Sequence, residues 1–327
     1  MKSRLKFSVC IPVYNGEKTI ARAIASVMNQ TYDGSYEIII VDNASTDCTE
    51  EVVKPLIGKG IQYFRNDKNI GMVRNWNRCI ELASGEWIYI LCDDDIVLPT
   101  ALETFTKAEN KYPDVKMVFG KDINIDEVSS EISFLPTIYD IDRYFPKGML
   151  LDDLIERCFI GLSAVVVKRD IYRTLNGFID DNMACDYYMW MLISALYPVA
   201  FVNEFMGVRY YNRNSITWDN GQKLTADTVT VFNLLISDSR VSDFSVSFKV
   251  GGAVWSFAQT KSLILKNKAS EATKCFEKYS ELSKGIEVPK LRHLLLLGML
   301  LRTMKFSPRI GRWIVRKYAN LRNIDLK

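Results

Sequence analysis

Histidine is nearly missing from this chain: the single copy, His293, lies near the end of 327 residues and far from any acidic cluster. A Ser-His-Asp hydrolase and a histidine-rich metal site are excluded, short of a long fold-back of that residue. Cysteine is scarce and unpatterned, with seven residues and no Cys-x-x-Cys pair. That argues against a disulfide framework or zinc site and for reduced thiols in the cytosol. Neither sign of charge dominates, since 42 Lys and Arg face 39 Asp and Glu. A net charge of +3 is too weak to imply nucleic acid by itself. The opening Met1-Lys-Ser-Arg-Leu-Lys-Phe-Ser-Val reads as running straight into a strand, without a secretory leader. The first turn is Pro12-Val-Tyr-Asn-Gly16 and not Gly-x-Gly-x-x-Gly, which argues against a nucleotide-dependent dehydrogenase.

What is present is an ordinary globular composition, 48% hydrophobic and 25% charged, long enough for one large domain or two smaller ones. Apolar runs at Phe7–Val13, Tyr36–Val41, Ile61–Phe64 and Ile88–Cys92 read as strands. Between them, helical spacing covers Glu17–Gln30, Glu50–Val53 and Gly71–Ala83. The alternation predicts a parallel sheet covered by helices, with ligands at the carboxyl ends of the strands. The loops at those ends carry Tyr14-Asn15, Asp42-Asn43 and Asp93-Asp94-Asp95. Three adjacent carboxylates repel one another unless a cation or solvent spreads the charge. A hard divalent ion, Mg²⁺ or Mn²⁺, suits such oxygens, and a solvated acidic turn is the plainer alternative.

Farther along, strands are expected at Lys116–Phe119 and Ser163–Val167, with edge strands at Val199–Val202 and Met206–Tyr211. Helices are expected at Arg169–Leu175 and Asp186–Leu196, then at Asp227–Ser237, Phe244–Leu265, Ala269–Ser283 and Arg292–Tyr318. The segment Lys121–Gly148 reads as short strands and loops. The expected division is 1–220, split into halves 1–120 and 121–220, and a helical region 221–327, with the boundary around Arg213–Gln222.

Five blocks in order then carry a resemblance. They are Cys10-Ile-Pro-Val-Tyr-Asn-Gly16; Ile40-Val-Asp-Asn-Ala-Ser-Thr-Asp47; Asn69-Ile-Gly-Met-Val-Arg-Asn-Trp-Asn77 with Gly85-Glu-Trp-Ile88; Leu91-Cys-Asp-Asp-Asp95; and Asn176-Gly-Phe-Ile-Asp180 with Cys185-Asp-Tyr-Tyr-Met-Trp190. Over roughly Phe7–Thr217 the chain resembles the inverting glycosyltransferases of family 2. The resemblance implies the GT-A fold: an α/β, Rossmann-like, mostly parallel sheet flanked by helices, here with a C-terminal helical extension. It also implies transfer of a sugar from a nucleoside-diphosphate-sugar, UDP the favoured base, to a saccharide or lipid-linked saccharide in surface polysaccharide assembly.

The resemblance assigns roles. Asp42 takes the base's imide N–H, with Asn43 beside it. Tyr14 packs on the base, and the Pro12–Asn15 backbone holds the ribose. Turn chemistry is the alternative for Tyr14 and Asn15, and a helix N-cap for Asp47. Arg74 and Arg78 reach the diphosphate or lie on a solvated face. Asp95 ligates Mn²⁺ or Mg²⁺, with Asp93 a second candidate ligand, and Asp93 or Asp94 also touches the sugar or ribose. Asp186 is the general base, and Gly177 and Phe178 face the acceptor.

The chain departs from the family at four places. Cys92 stands for a frequent Asp, Cys185 for a Glu, Asn212 for a histidine, and Trp76 for an Arg found in some relatives. A non-catalytic nucleotide-sugar or polysaccharide-binding protein is therefore a second expectation, and a glycoside hydrolase is disfavoured. The tail from Pro289 is basic, with one acid, Asp325, and holds the apolar run Leu294–Leu301. That run is too short to cross a bilayer. It either lies on the inner face of the plasma membrane, with the enzyme otherwise cytoplasmic, or packs on the catalytic domain or on a second subunit of a homodimer.

Overall fold

The computed structural model describes residues 6–58, 60–134, 139–211, 221–265 and 269–283. In chain order the first unit contains β1 (Phe7–Val13), α1 (Ile20–Met28), β2 (Tyr36–Asp42), α2 (Thr49–Val53), β3 (Ile61–Arg65), α3 (Met72–Leu82) and β4 (Trp87–Ile90). It continues with β5 (Ile96–Val97), α4 (Ala101–Lys111), β6 (Met117–Asp126), β7 (Ile132–Phe134), β8 (Arg143–Phe145) and α5 (Leu151–Glu156). It ends with β9 (Val165–Lys168), α6 (Arg169–Thr174), α7 (Cys185–Leu196) and β10 (Val199–Tyr211). The chain divides into two compact units, Met1–Asn220 and Gly221–Lys327.

One sheet runs β3-β2-β1-β4-β9-β6-β10-β5, with β7 paired to β6 and β8 to β10. The first four strands are parallel, as the alternating pattern predicts. β1 is buried along its whole length, which its near-continuous apolar sequence allows between two neighbouring strands. α1 buries Ile20, Ala23, Ile24 and Val27, the positions its spacing singles out.

Two expectations about the second half are corrected. The strand beginning near Lys116 does not stop at Phe119 but runs to Asp126. The two expected edge strands are one bent strand, β10, inside the sheet between β6 on one side and β5 and β8 on the other. Register shifts between Phe201 and Gly207 bend it, and the polar Asn203-Glu204 marks that bend in the sequence. β9 is antiparallel to both β4 and β6.

At the amino-terminal edge of the sheet, Lys6 and Lys168 are interleaved with Glu86 and Glu109, joining β1, β4, β9 and α4. Nearby, the Glu37 carboxylate accepts hydrogen bonds from Ser8, Gln62 and Ser84. This edge is a structural staple, and the polar loops leave at the other.

The second unit contains α8 (Gly221–Ser237), α9 (Ser245–Leu265) and α10 (Ala269–Leu282). Its core holds Phe232, Phe248, Ala253 and Tyr279. A Cβ on Gly252 would lie 3.1 Å from both Leu282 and Phe232, so glycine lets these helices approach closely. Among the described residues no helix is long and apolar enough to cross a membrane. The expected helix at Arg292–Tyr318, the basic tail, His293, Asn212 and Arg213 lie outside the described residues.

Candidate active site

The carboxyl ends of β1 and β2 meet in a cross-linked pair of loops. Asn43 N donates to Val13 O at 2.8 Å, Asn15 N to Ser45 Oγ at 2.9 Å, and Thr46 N to Asn15 Oδ1 at 2.8 Å. Asp47 accepts from Glu17 N and from Thr49 N, while Glu17 accepts from Cys48 N. Asn15 and Ala44 both sit at positive φ, which asparagine tolerates through local side-chain bonding. Tyr14 leaves this loop pair 46% exposed. Asn15 and Asp47 thus serve the loops' own turn chemistry.

Asp42 is fully buried. Its carboxylate accepts hydrogen bonds from Ser45 N at 2.8 Å, Tyr63 Oη at 2.6 Å and Arg65 Nη1 at 2.5 Å. The carboxylate expected to meet the base's imide N–H is thus held by its own loop and by β3. Asn43 is likewise occupied: its side chain bonds Asn66, Asn69 and Ile70 N. Arg74 ion-pairs with Asp180, both of them exposed.

After β4 the chain turns through Cys92, Asp93, Asp94 and Asp95. The ligand atoms of Cys92, Asp94 and Asp95 lie within 4.8 Å of one another. Asp93, the second candidate ligand expected beside Asp95, is not one of these three. Successive side chains of a tight turn diverge, and Asp93 Oδ2 accepts the Thr19 hydroxyl at 3.0 Å and lies against Gly16. A Cβ at residue 16 would fall 2.5 Å from that oxygen. Burial, reinforced by the charge of Asp94, pushes the Asp93 carboxyl up to about 7. Burial also raises Asp94 and Asp95. The Cys92 thiol is pushed well up by burial and by the three carboxylates, so it stays protonated. Asp95 is tied to β10 by Tyr210 N, which donates to Oδ1 at 3.0 Å.

Asp186, the second residue of α7, is partly buried, and its Oδ1 accepts Tyr187 N at 2.7 Å. Burial raises its carboxyl, and the charge of Arg209 on β10 opposes that rise. The same guanidinium opposes the rise of Asp94, Asp95 and Asp122 that burial causes. The charge of Arg209 thus acts on the acidic turn and on Asp186 alike.

Gly177 and Phe178 are brought close to α7, but Phe178 is only 2% exposed. Its ring lies among Trp76, Tyr172 and Trp190, so packing takes the surface expected to face the acceptor. Sequence reading missed two groups near the acidic turn, Asp122 and Arg209. Asp122 Oδ1 accepts Ser163 Oγ at 2.9 Å, and burial lifts its carboxyl to about 6. The available signal was the alternation Asp122-Ile-Asn-Ile, polar and apolar by turns, which continues the strand and turns its polar side inward.

The family model described as glycosyl transferase family 2 matches residues 8–170. An uncharacterized glycosyltransferase of Methanocaldococcus jannaschii, MJ1057, is 33% identical over 209 residues, covering 61% of this chain and 68% of that protein. The Escherichia coli protein WfgD, a UDP-Glc:alpha-D-GlcNAc-diphosphoundecaprenol beta-1,3-glucosyltransferase, is 28% identical over 57% of this chain and 68% of its own. Among solved structures, S. aureus TarS 1–349 in complex with UDP-GlcNAc superposes with a TM-score of 0.68 at 16% identity, covering 99% of this chain and 93% of that one. With the parallel β3-β2-β1-β4 half, the acidic turn after β4 and the α/β sheet flanked by helices, these likenesses establish that the chain belongs to the family 2 glycosyltransferases of the GT-A type.

Proposed function

We propose that this glycosyltransferase is metal-dependent and inverting. It moves a sugar from a nucleoside-diphosphate-sugar, UDP the favoured nucleotide, to a hydroxyl of a saccharide or lipid-linked saccharide in surface polysaccharide assembly. The observation that carries the reading is the acidic turn that follows β4, where the ligand atoms of Cys92, Asp94 and Asp95 lie within 4.8 Å of one another. TarS, solved with UDP-GlcNAc, and WfgD, named for a diphosphoundecaprenol acceptor, support the donor and acceptor classes.

The acidic turn fits a hard divalent ion, Mn²⁺ or Mg²⁺. Asp94 and Asp95 offer oxygens close together, and their mutual repulsion is what a cation relieves. Cys92 keeps its proton and is a poor third ligand for such an ion. Bound there, the ion would neutralise the negative charge growing on the leaving diphosphate.

The chain's own groups do the rest. Tyr14 is the exposed ring at the donor edge and stacks on the base. Asp42, held by Arg65 and Tyr63, fixes the 42–47 loop, whose backbone and that of Pro12–Asn15 orient the nucleoside. Asp93 is placed by Thr19 to contact the sugar or ribose. Asp186 accepts the proton of the acceptor hydroxyl as that oxygen attacks C1. The C1–O bond to the diphosphate breaks on the opposite face, so the configuration inverts. Arg209 adds a fixed positive charge that favours the ionised base and the leaving group.

A thermal-shift panel of UDP-, GDP- and dTDP-sugars with and without Mn²⁺ tests the reading. Stabilisation by one donor only when the metal is present is expected. No response to any donor, or a response indifferent to metal, overturns it.

A further inference from the structure

Helix α3 is pinned on two sides, by Asn75 and by Asn77, which two residues of helix turn to nearly opposite faces. On one side, Asn75 Nδ2 donates to Val41 O at 2.9 Å, and Asn66 Nδ2 donates to Asn75 Oδ1 and to Asn43 Oδ1, each at 2.9 Å. These bonds fix the helix to the residues flanking Asp42. On the opposite side, Asn77 meets the turn that leads into α7. Its Nδ2 donates to Phe178 O at 2.9 Å, and its Oδ1 accepts Phe178 N at 2.8 Å. A carboxamide paired with both polar groups of one residue sets position and orientation together, because neither bond survives a slide along the chain.

The turn is shaped to receive that carboxamide. Asn176 and Gly177 are both left-handed, with φ of 64° and 69°, and Gly177 N donates to Tyr172 O at 2.8 Å, closing α6. A Cβ on Gly177 would lie 2.4 Å from Asn77 Oδ1, so glycine is required twice, by backbone conformation and by the neighbour. Beyond the turn, Phe178 meets Trp76 of α3 and Trp190 of α7 edge-on, at 5.4 and 6.2 Å between ring centres. Asn182 Oδ1 then accepts Ala184 N at 2.8 Å, and α7 opens with Cys185 and Asp186.

We propose that Asn77 is a positioning residue for Asp186: by locking the Phe178 turn to α3, it sets where the carboxylate stands relative to the donor edge. The proposal rests on the reading of Asp186 as general base. It also gives the Asn176–Asp180 segment a different part from the acceptor contact expected of Gly177 and Phe178, since both are taken up by the lock. Misplacing a reacting group by about 1 Å can cost on the order of 100-fold in rate, and that is the size of effect the lock controls.

The test uses the full chain and two ways of opening the lock, Asn77→Ala and Gly177→Ala, with Asp186→Asn alongside. Hydrogen–deuterium exchange is expected to rise in residues 177–187 of the first two variants while β1–β4 stay protected. Turnover of the donor in the UDP-, GDP- and dTDP-sugar panel that the wild type hydrolyses fastest is expected to fall 10- to 100-fold. The stabilising shift from that donor with Mn²⁺ is expected to be unchanged. Unaltered exchange at 177–187 overturns the proposal, as does wild-type turnover in Asn77→Ala beside an inactive Asp186→Asn. Exchange rising throughout β1–β4, with donor stabilisation lost too, shows a general folding role and also overturns it. Wild-type turnover in Asp186→Asn overturns the general-base reading itself and the proposal with it.

Discussion

Asp95 and Tyr210, 115 residues apart, are joined by one hydrogen bond in which the tyrosine N–H donates to the carboxylate at 3.0 Å. The acidic turn of the first half is thereby fastened to the longest strand of the second. The same carboxylate is a metal ligand in the proposed mechanism, so its structural and chemical parts can be separated. Asp95→Asn retains an acceptor oxygen for the N–H but loses the charge. It is expected to melt no lower than wild type and to lose the Mn²⁺-dependent part of donor stabilisation. Asp95→Ala orphans a buried N–H as well, at about 1–3 kcal/mol, and is expected to melt lower. Thermal shifts with UDP-GlcNAc, with and without Mn²⁺, read both effects.

Asp186→Asn tests the base directly. The amide keeps the shape of the side chain and its contact with Tyr187 N, but it cannot take a proton from the acceptor. Turnover is expected to drop about 100- to 10,000-fold with donor binding intact. Calorimetric titration with the donor and a product assay on the same preparation separate the two. Parallel loss of both would place Asp186 in donor binding instead.

The first half was legible because each of its local signals agrees with the global fold. The apolar runs of β1, β2 and β4 have the length and composition of buried strands, and α1 repeats its buried residues at helical spacing. The second half was harder for a physical reason. β10 mixes buried Phe201 and Met206 with polar Asn203 and Glu204 at a bulge, so its apolar alternation breaks where the strand does not. Strand pairing between β6 and β10 joins residues about 80 positions apart, and no local pattern encodes that. At the site, the acidic turn stood out as charge after an apolar run, and Asp186 as a carboxylate after a Gly-Phe turn and before an apolar helix. The bonds of Asp42 to Arg65 and of the Phe178 backbone to Asn77 depend on partners distant in sequence, and no motif announces them.

The Asp42–Arg65 pair makes a stability prediction. Asp42 is fully buried, while the Arg65 side chain is 37% exposed. Arg65→Met leaves a buried carboxylate with two neutral donors and no charge partner. The loss is expected to be about 2 kcal/mol, below the range for fully buried pairs because solvent screens the arginine. Adding Asp42→Asn removes the uncompensated charge, so the double variant is expected to recover part of the loss. Urea midpoints of the two single variants and the double variant form the cycle. A double variant less stable than either single one would show that Asp42 matters for its hydrogen bonds more than for its charge.

Asp122 makes the pH prediction, and its sign follows from where its carboxyl titrates. Burial lifts the folded value to about 6, against an ordinary carboxyl value of 3.8. Between those two values the folded chain holds the proton more firmly than the unfolded one. This residue therefore supports folding at low pH, and its contribution declines as pH rises from about 4 to about 6. Above that window the cost of keeping the charge buried is fully present, no more than about 3 kcal/mol. Asp122→Asn cannot ionise and can still bond Ser163 Oγ. The stability difference between variant and wild type is expected to move in the variant's favour as pH rises through the window, then to level off. Urea midpoints at half-unit steps from pH 4 to pH 8 measure it. A difference that stays constant across the series would mean that Asp122 titrates at its ordinary value, and that Arg209 offsets its burial in full.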